Sequence, residues 1–192
     1  CIELHDAVCA MMEPLCREKN ITFYTNLNPQ NDIIFTDKTK LNRIFFNLLG
    51  NAVKFTPAGG KVSFLHKNIV RKDGFLEWDT VITDTGSGMS KEFQQKMYQP
   101  FEQENSLAGV GLGLAIVKMN TEAFGGTIAV ESEPGKGTAF TIHLKAPYMS
   151  GEDYHMHYTA SKLQTDLAGK KILLVEDHKL NMEIAKKILE KK

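Results

Sequence analysis

The chain has no excess charge of either sign: 23 Lys and Arg balance 23 Asp and Glu over 192 residues. That balance excludes the broad positive field on which sequence-independent nucleic-acid binding depends, so no nucleic-acid partner is expected. No apolar run approaches the roughly 20 residues that span a bilayer, and the residues present contain no secretory leader. This segment is therefore expected to be cytoplasmic and to make no direct membrane contact, whatever anchors a parent protein. The first residue is Cys1 rather than Met, which raises the expectation of an excised piece. Cysteine is scarce, with only Cys1, Cys9 and Cys16 and no paired CxxC. A zinc ribbon or a disulfide framework is thereby excluded, and reduced core thiols are expected. No internal repeat is present.

What the chain does have is 42% hydrophobic residues, enough for one well-buried domain and a remnant of another. Leu4, Val8, Met11, Met12 and Leu15 recur at helical spacing, and Ile21, Phe23, Thr25 and Leu27 then alternate as a strand. Asp37 caps a long helix whose apolar face is Leu41, Ile44, Phe45, Leu48, Leu49 and Ala52, ended by TPAGG. A hairpin turning at KDG follows, and a helix is predicted from Ser90 to about Gln99. A Gly-rich loop opens a further helix that stops at Gly125 and Gly126, and a second hairpin turns at EPGKG. Helices interleaved with two hairpins predict an α/β fold, a two-layer sandwich with helices on one face of a mixed sheet.

The stretch VITDTGSGM, residues 81–89, holds DTGS, the signature that surrounds an aspartic protease carboxylate. That chemistry needs two carboxylates sharing a proton, and one DTG supplies a protease only as a dimer. A strand running into a helix suits a ligand-holding turn better, because Gly86 and Gly88, lacking Cβ, let backbone approach a flat ligand. On the long helix Asn47, Asn51 and Lys54 stand at i, i+4 and i+7 and share one ridge. Such a ridge is either solvated surface or a set of amide oxygens for hydrated magnesium with an ammonium for phosphate. In GVGLGLAI, residues 109–116, glycines precede and enter a helix, where free N–H groups meet anions, although a lone GxGxG is a weak signal.

The order of the blocks is more specific than any one of them: NLLGNAVKFT, DTGSGM, YQPFEQ, GVGLGLAI, GKGTAF. Residues 1–147 resemble the catalytic, ATP-binding domain of sensor histidine kinases, a fold shared with the gyrase, MutL and heat-shock chaperone ATPases. The resemblance implies that Asp84 accepts a hydrogen bond from the adenine amine, that Gly86 and Gly88 make room for the purine, and that Phe55 lies against it. It implies Asn51 as the magnesium ligand with Asn47 supporting it, Lys54 on phosphate oxygens, and Gly111, Leu112 and Gly113 cradling the phosphates. Thr138 would join the adenine-side network, and Phe101 would anchor the lid. The lid, EQENSLAGV, lacks the basic residues frequent in the family, and Val110 replaces the usual Thr or Ser. Relatives that hydrolyse ATP place Glu at position 47; the amide of Asn47 cannot serve as a general base, which points to phosphoryl transfer to histidine. A nucleotide-binding module of the same fold without transfer activity is the alternative.

None of the histidines fits as phosphoacceptor. His5 begins HDAVCAMM without the expected Arg and Pro, His66 and His143 sit in strands, and His155 with His157 make a poor metal site. The dimerising acceptor helices are expected upstream. Residues 148–169 read as a linker. In residues 170–192 a strand, the acidic pair Glu176 and Asp177, and Asn181 resemble the opening of a response-regulator receiver domain, implying a hybrid kinase.

Overall fold

The computed structural model describes residues 2–26, 33–104, 110–150 and 153. The chain divides into two units, Cys1–Ser150 and Gly151–Lys192, and every element below belongs to the first. Leu27, Gly109, His155, His157, the receiver-like segment 170–192 and most of the expected linker lie outside the described residues.

Helix α1 (Ile2–Glu18) buries His5, Val8, Cys9, Met12 and Cys16. Their offsets of 3, 4, 7 and 11 trace one stripe. Met11 and Leu15, read from spacing as part of the apolar face, are instead exposed by 58% and 47%. The cysteines take their place in the core, as small hydrophobes do. Strand β1 (Thr22–Asn26) follows a turn at Asn20, whose φ is +55°. The two-residue strand β2 (Ile33–Ile34) carries too short a pattern to read from sequence.

Helix α2 (Lys38–Phe55) starts where the Asp37 carboxylate accepts the N–H groups of Thr39 and Lys40 at 2.9 and 3.1 Å. All six apolar residues expected on its core face are buried, with Val53 beside them. It ends as the Thr56 hydroxyl donates to the Ala52 carbonyl at 2.6 Å and Lys19 Nζ donates to the carbonyls of Val53 and Lys54 at 2.8 and 2.7 Å. A cation on the last carbonyls suits the negative end of a helix.

Strands β3 (Lys61–Lys72) and β4 (Phe75–Asp84) form a hairpin whose two turn residues, Asp73 and Gly74, both have positive φ. That twist matches the strands it joins. Helix α3 (Lys91–Lys96) is capped by the Ser90 hydroxyl but ends before Gln99. Pro100 disfavours helical backbone at the residue before it. Helix α4 (Gly113–Ala123) stops at Gly125, and β5 (Thr127–Glu133) turns into β6 (Gly137–Met149).

The sheet runs β1-β3-β4-β6, with β5 and β2 both paired to the far edge of β6; β1 and β3 are parallel and the other pairs antiparallel. Tyr148 and Met149, expected in the linker, continue β6, because Ile33 and Ile34 pair with Met149 and Tyr148. Alternation puts Val62, Phe64, Leu76, Trp78, Ile82, Phe140, Ile142 and Leu144 on one buried face. Helix α2 lies over β3 and β4 on that face, with α1 and α4 against it. The opposite face carries solvent-exposed pairs, Lys145 with Glu77 at 2.6 Å and His143 with Asp79 at 2.9 Å. The fold is thus a two-layer α/β sandwich on an open mixed sheet.

Candidate active site

Period-2 alternation carries the buried face of β4 through to its last residue, Asp84, which is 9% exposed. One carboxylate oxygen, Oδ1, accepts the N–H of Gly86 at 2.8 Å. Burial raises the Asp84 pKa above the usual carboxylate range, against the opposing backbone N–H groups of Gly86 and Thr138. Thr138 faces Asp84 across the β4–β6 ladder, and its hydroxyl lies 2.9 Å from Ser132 Oγ. Ser132 Oγ donates to the Gly137 carbonyl at 3.0 Å and accepts the Met89 N–H at 2.8 Å. With the Ser132 proton committed, Thr138 is the donor of that pair. The turn after β4 is stitched on both sides: Ser87 N–H reaches the Phe55 carbonyl at 3.3 Å, and Gly135 N–H reaches the Ser87 carbonyl at 2.7 Å.

Helix α2 brings the second set. Asn47 Nδ2 donates to the Arg43 carbonyl at 2.6 Å. The Asn47 amide oxygen is turned toward the start of α4, 2.9 Å from where a Cβ of Gly113 would stand. A Cβ there would push the amide oxygen aside. Gly111, at φ +74°, is required because a Cβ would lie 2.7 to 2.9 Å from the backbone of Phe101. Phe101 N–H in turn donates to the Gly111 carbonyl at 2.9 Å. The backbone of Phe101 therefore ties the segment before the lid to α4, while its ring is 70% exposed. Leu112, at the N-cap of α4, supplies no side-chain hydrogen bond to the first turn. The leading N–H groups of α4 are therefore not satisfied by their own N-cap side chain, and such groups suit an anion.

These elements enclose one cavity of about 460 Å³. Its wall includes Asn47, Asn51, Phe55, Asp84, Gly88, Gly111, Leu112, Gly113 and Thr138, together with an apolar floor of Leu48, Ile82, Met97 and Phe140. A carboxylate and hydroxyl over an apolar floor suit a flat, polar-edged ring. The amide oxygens of Asn47 and Asn51 are the hard, neutral donors that a hydrated magnesium ion accepts, so the residues present fit that ion. Two expected residues do not line the cavity. Lys54 is exposed, with Nζ 5.2 Å from the Phe55 ring centroid. At Gly86 a Cβ would stand 2.6 Å from the Phe55 carbonyl oxygen and 2.8 Å from Asp84 Oδ1, so that glycine serves the fit of the turn against α2. Ser132, which orders the Thr138 side, escaped the sequence reading because it lies in a hairpin strand with no motif around it. No described helix is long and apolar enough to cross a membrane.

A buried strand-end carboxylate and an amide-bearing helix around one cavity, under a two-layer sandwich, define a nucleotide-binding domain of the ATPase kind. The family model described as "Histidine kinase-, DNA gyrase B-, and HSP90-like ATPase" matches residues 36–148. The autoinducer 2 sensor kinase/phosphatase LuxQ of Vibrio vulnificus is 38% identical over 187 residues, covering 93% of this chain and 22% of that protein. Sensor histidine kinase AruS of Pseudomonas aeruginosa is 34% identical over 196 residues, covering 98% of this chain and 19% of its own length. Among solved structures, full-length ShkA in complex with AMPPNP superposes with a TM-score of 0.62 at 32% identity, over 77% of this chain and 30% of that one. The chain belongs to the histidine kinase, gyrase B and HSP90-like ATPase family, and within it to the catalytic domains of sensor histidine kinases. It spans about a fifth of the length of the curated relatives it matches.

Proposed function

We propose that this chain is the part of a hybrid sensor kinase that binds ATP with magnesium and passes the γ-phosphoryl group to a histidine on a separate dimerisation domain. The observation that carries the reading is that Asp84 and the α2 amides Asn47 and Asn51 line one cavity. The Asp84 carboxylate accepts the adenine amine, a contact that guanine, with a carbonyl there, would turn into a repulsion. Phe55 lies against the purine, and Thr138 completes the polar edge. Magnesium, held by Asn51 with Asn47 behind it, would neutralise phosphate charge. Gly111, Leu112 and Gly113 present backbone N–H groups to the phosphates, with Lys54 near the rim.

In the transfer, the bond between the γ-phosphorus and the β,γ-bridging oxygen breaks and a nitrogen–phosphorus bond forms. ADP leaves, and the imidazole loses its N–H proton to solvent. Neutral imidazole needs no strong base, so Asn47, which cannot take a proton at neutral pH, is consistent with transfer and disfavours hydrolysis. Residues 1–147 with the last two residues of β6 form the catalytic domain, the residues from there to 169 a linker, and 170–192 the opening of a receiver domain. Calorimetry with a non-hydrolysable ATP analogue and magnesium tests the binding. Affinity should fall by about a hundredfold in Asp84→Asn, which turns one acceptor into a donor. Unchanged affinity would remove Asp84 from the site. Phosphate transfer to a supplied acceptor domain, read by radiolabel, separates a kinase from a nucleotide-binding module.

A further inference from the structure

Among its described residues the cavity wall carries three carboxylates, Asp84, Glu102 and Glu104, and neither Lys nor Arg. Asp84 is at the buried strand end; the two glutamates belong to the segment after Phe101, which the Phe101–Gly111 backbone bond holds beside the start of α4. Glu104 Oε1 accepts the Ser90 N–H at 2.8 Å, so its carboxylate is held in place. Glu102 is bridged to Lys96 at 2.7 Å; their side chains keep 33% and 47% of their surface in water, so solvent weakens that pair without removing it. The positive start of α4 thus shares its side of the cavity with two carboxylates, Glu104 held by the Ser90 N–H and Glu102 partly offset by Lys96. A polyphosphate arriving there without a cation meets repulsion.

We propose that Glu102 and Glu104 act as a charge filter, so that the cavity accepts a nucleotide polyphosphate only as its divalent-metal complex and rejects the free anion. The inference rests on the nucleotide reading above and specifies the ligand of the same site. Without metal, each added phosphate weakens binding, and the order of affinity is adenosine, then ADP, then ATP. With metal the order reverses, because the ion cancels the charge that the glutamates oppose.

Calorimetry on the full chain with adenosine, ADP and ATP, first in chelator and then in excess magnesium, tests it. In chelator, ATP should bind about tenfold or more weakly than adenosine, a gap that narrows as salt rises. The double variant Glu102→Gln with Glu104→Gln should strengthen metal-free ATP binding about tenfold and leave adenosine unchanged. Free ATP binding as tightly as adenosine to the wild-type chain, or a double variant that leaves free ATP unchanged, overturns the filter while the nucleotide site stands. Failure of all three ligands to bind in either condition overturns the site and the filter together. An equal gain for adenosine and ATP in the double variant also overturns it, because a filter acts on charge alone.

Discussion

A β-carbon at Gly88 would overlap the carbonyl oxygen of Glu133, and the residue's φ is +65°. Two costs therefore coincide in Gly88→Ala, a left-handed backbone and a collision with immobile backbone, for a loss of about 3 kcal/mol or more. Gly59 shares the backbone constraint, with φ +83°, but nothing lies within 4 Å of its missing Cβ. Gly59→Ala should cost only about 1 kcal/mol. Urea unfolding of both variants checks the contrast, and equal losses would show that the Glu133 contact gives way. The sequence made Gly88 conspicuous through DTGSGM, yet could not say that its reason is the β5–β6 turn 45 residues further on. Lys54 shows the opposite failure. Helical spacing put it on the ridge with Asn47 and Asn51, but a flexible four-carbon stem lets the ammonium settle over Phe55, outside the wall.

Helix α1 is held to the sheet by a chain of polar contacts that no spacing rule reveals. His5 Nδ1 and His66 Nε2 are 3.0 Å apart; His66 Nδ1 is 3.1 Å from the Thr80 hydroxyl, and the Thr25 hydroxyl is 2.7 Å from His5 Nε2. One proton on each ring satisfies the chain: His5 donates to His66, His66 donates to Thr80, Thr25 donates to His5, and Cys9 donates to Thr25. A second proton on His66 would set its Nε2–H against the Nδ1–H of His5. Burial, then the neighbouring His5, lowers the His66 pKa to about 4, and burial lowers that of His5 despite Asp6. The unfolded chain takes up these protons near pH 6.5 and the folded one does not, so stability is complete above about pH 6.5 and lost as pH falls toward 4. At pH 4.5 the His66 share of that loss is about 2–3 kcal/mol. Urea midpoints from pH 8 to 4.5 should decline in the wild-type chain and decline less in His66→Gln. Parallel declines would exclude the pair as their cause.

At the scale of the molecule, the cavity exists only when α2, β4, β6 and the start of α4 are assembled, since each supplies part of the wall. A ligand that fits it binds the folded chain and not the unfolded one. A magnesium-loaded ATP analogue at a hundred times its dissociation constant should add about 2.7 kcal/mol of stability and raise Tm by about 5–10 °C. A GTP analogue at the same concentration should leave Tm unmoved. An equal shift with both analogues would show that Asp84 does not choose the base.

By itself the sequence determined the alternation of helices and hairpins, the capping of α2 by Asp37, the turn at KDG, and the blocks that identify the family. Those features depend on contacts within a few residues, where backbone geometry and side-chain periodicity leave few choices. Tertiary structure decided which of the ridge and loop residues meet. It buried Cys9 and Cys16 in place of Met11 and Leu15, joined His5 to His66 across 61 positions, and set Ser132 behind Thr138. It also left the cavity wall with carboxylates and no basic side chain among the described residues. Those outcomes follow from packing distant segments into one volume, where a neighbour's shape and charge outweigh local spacing.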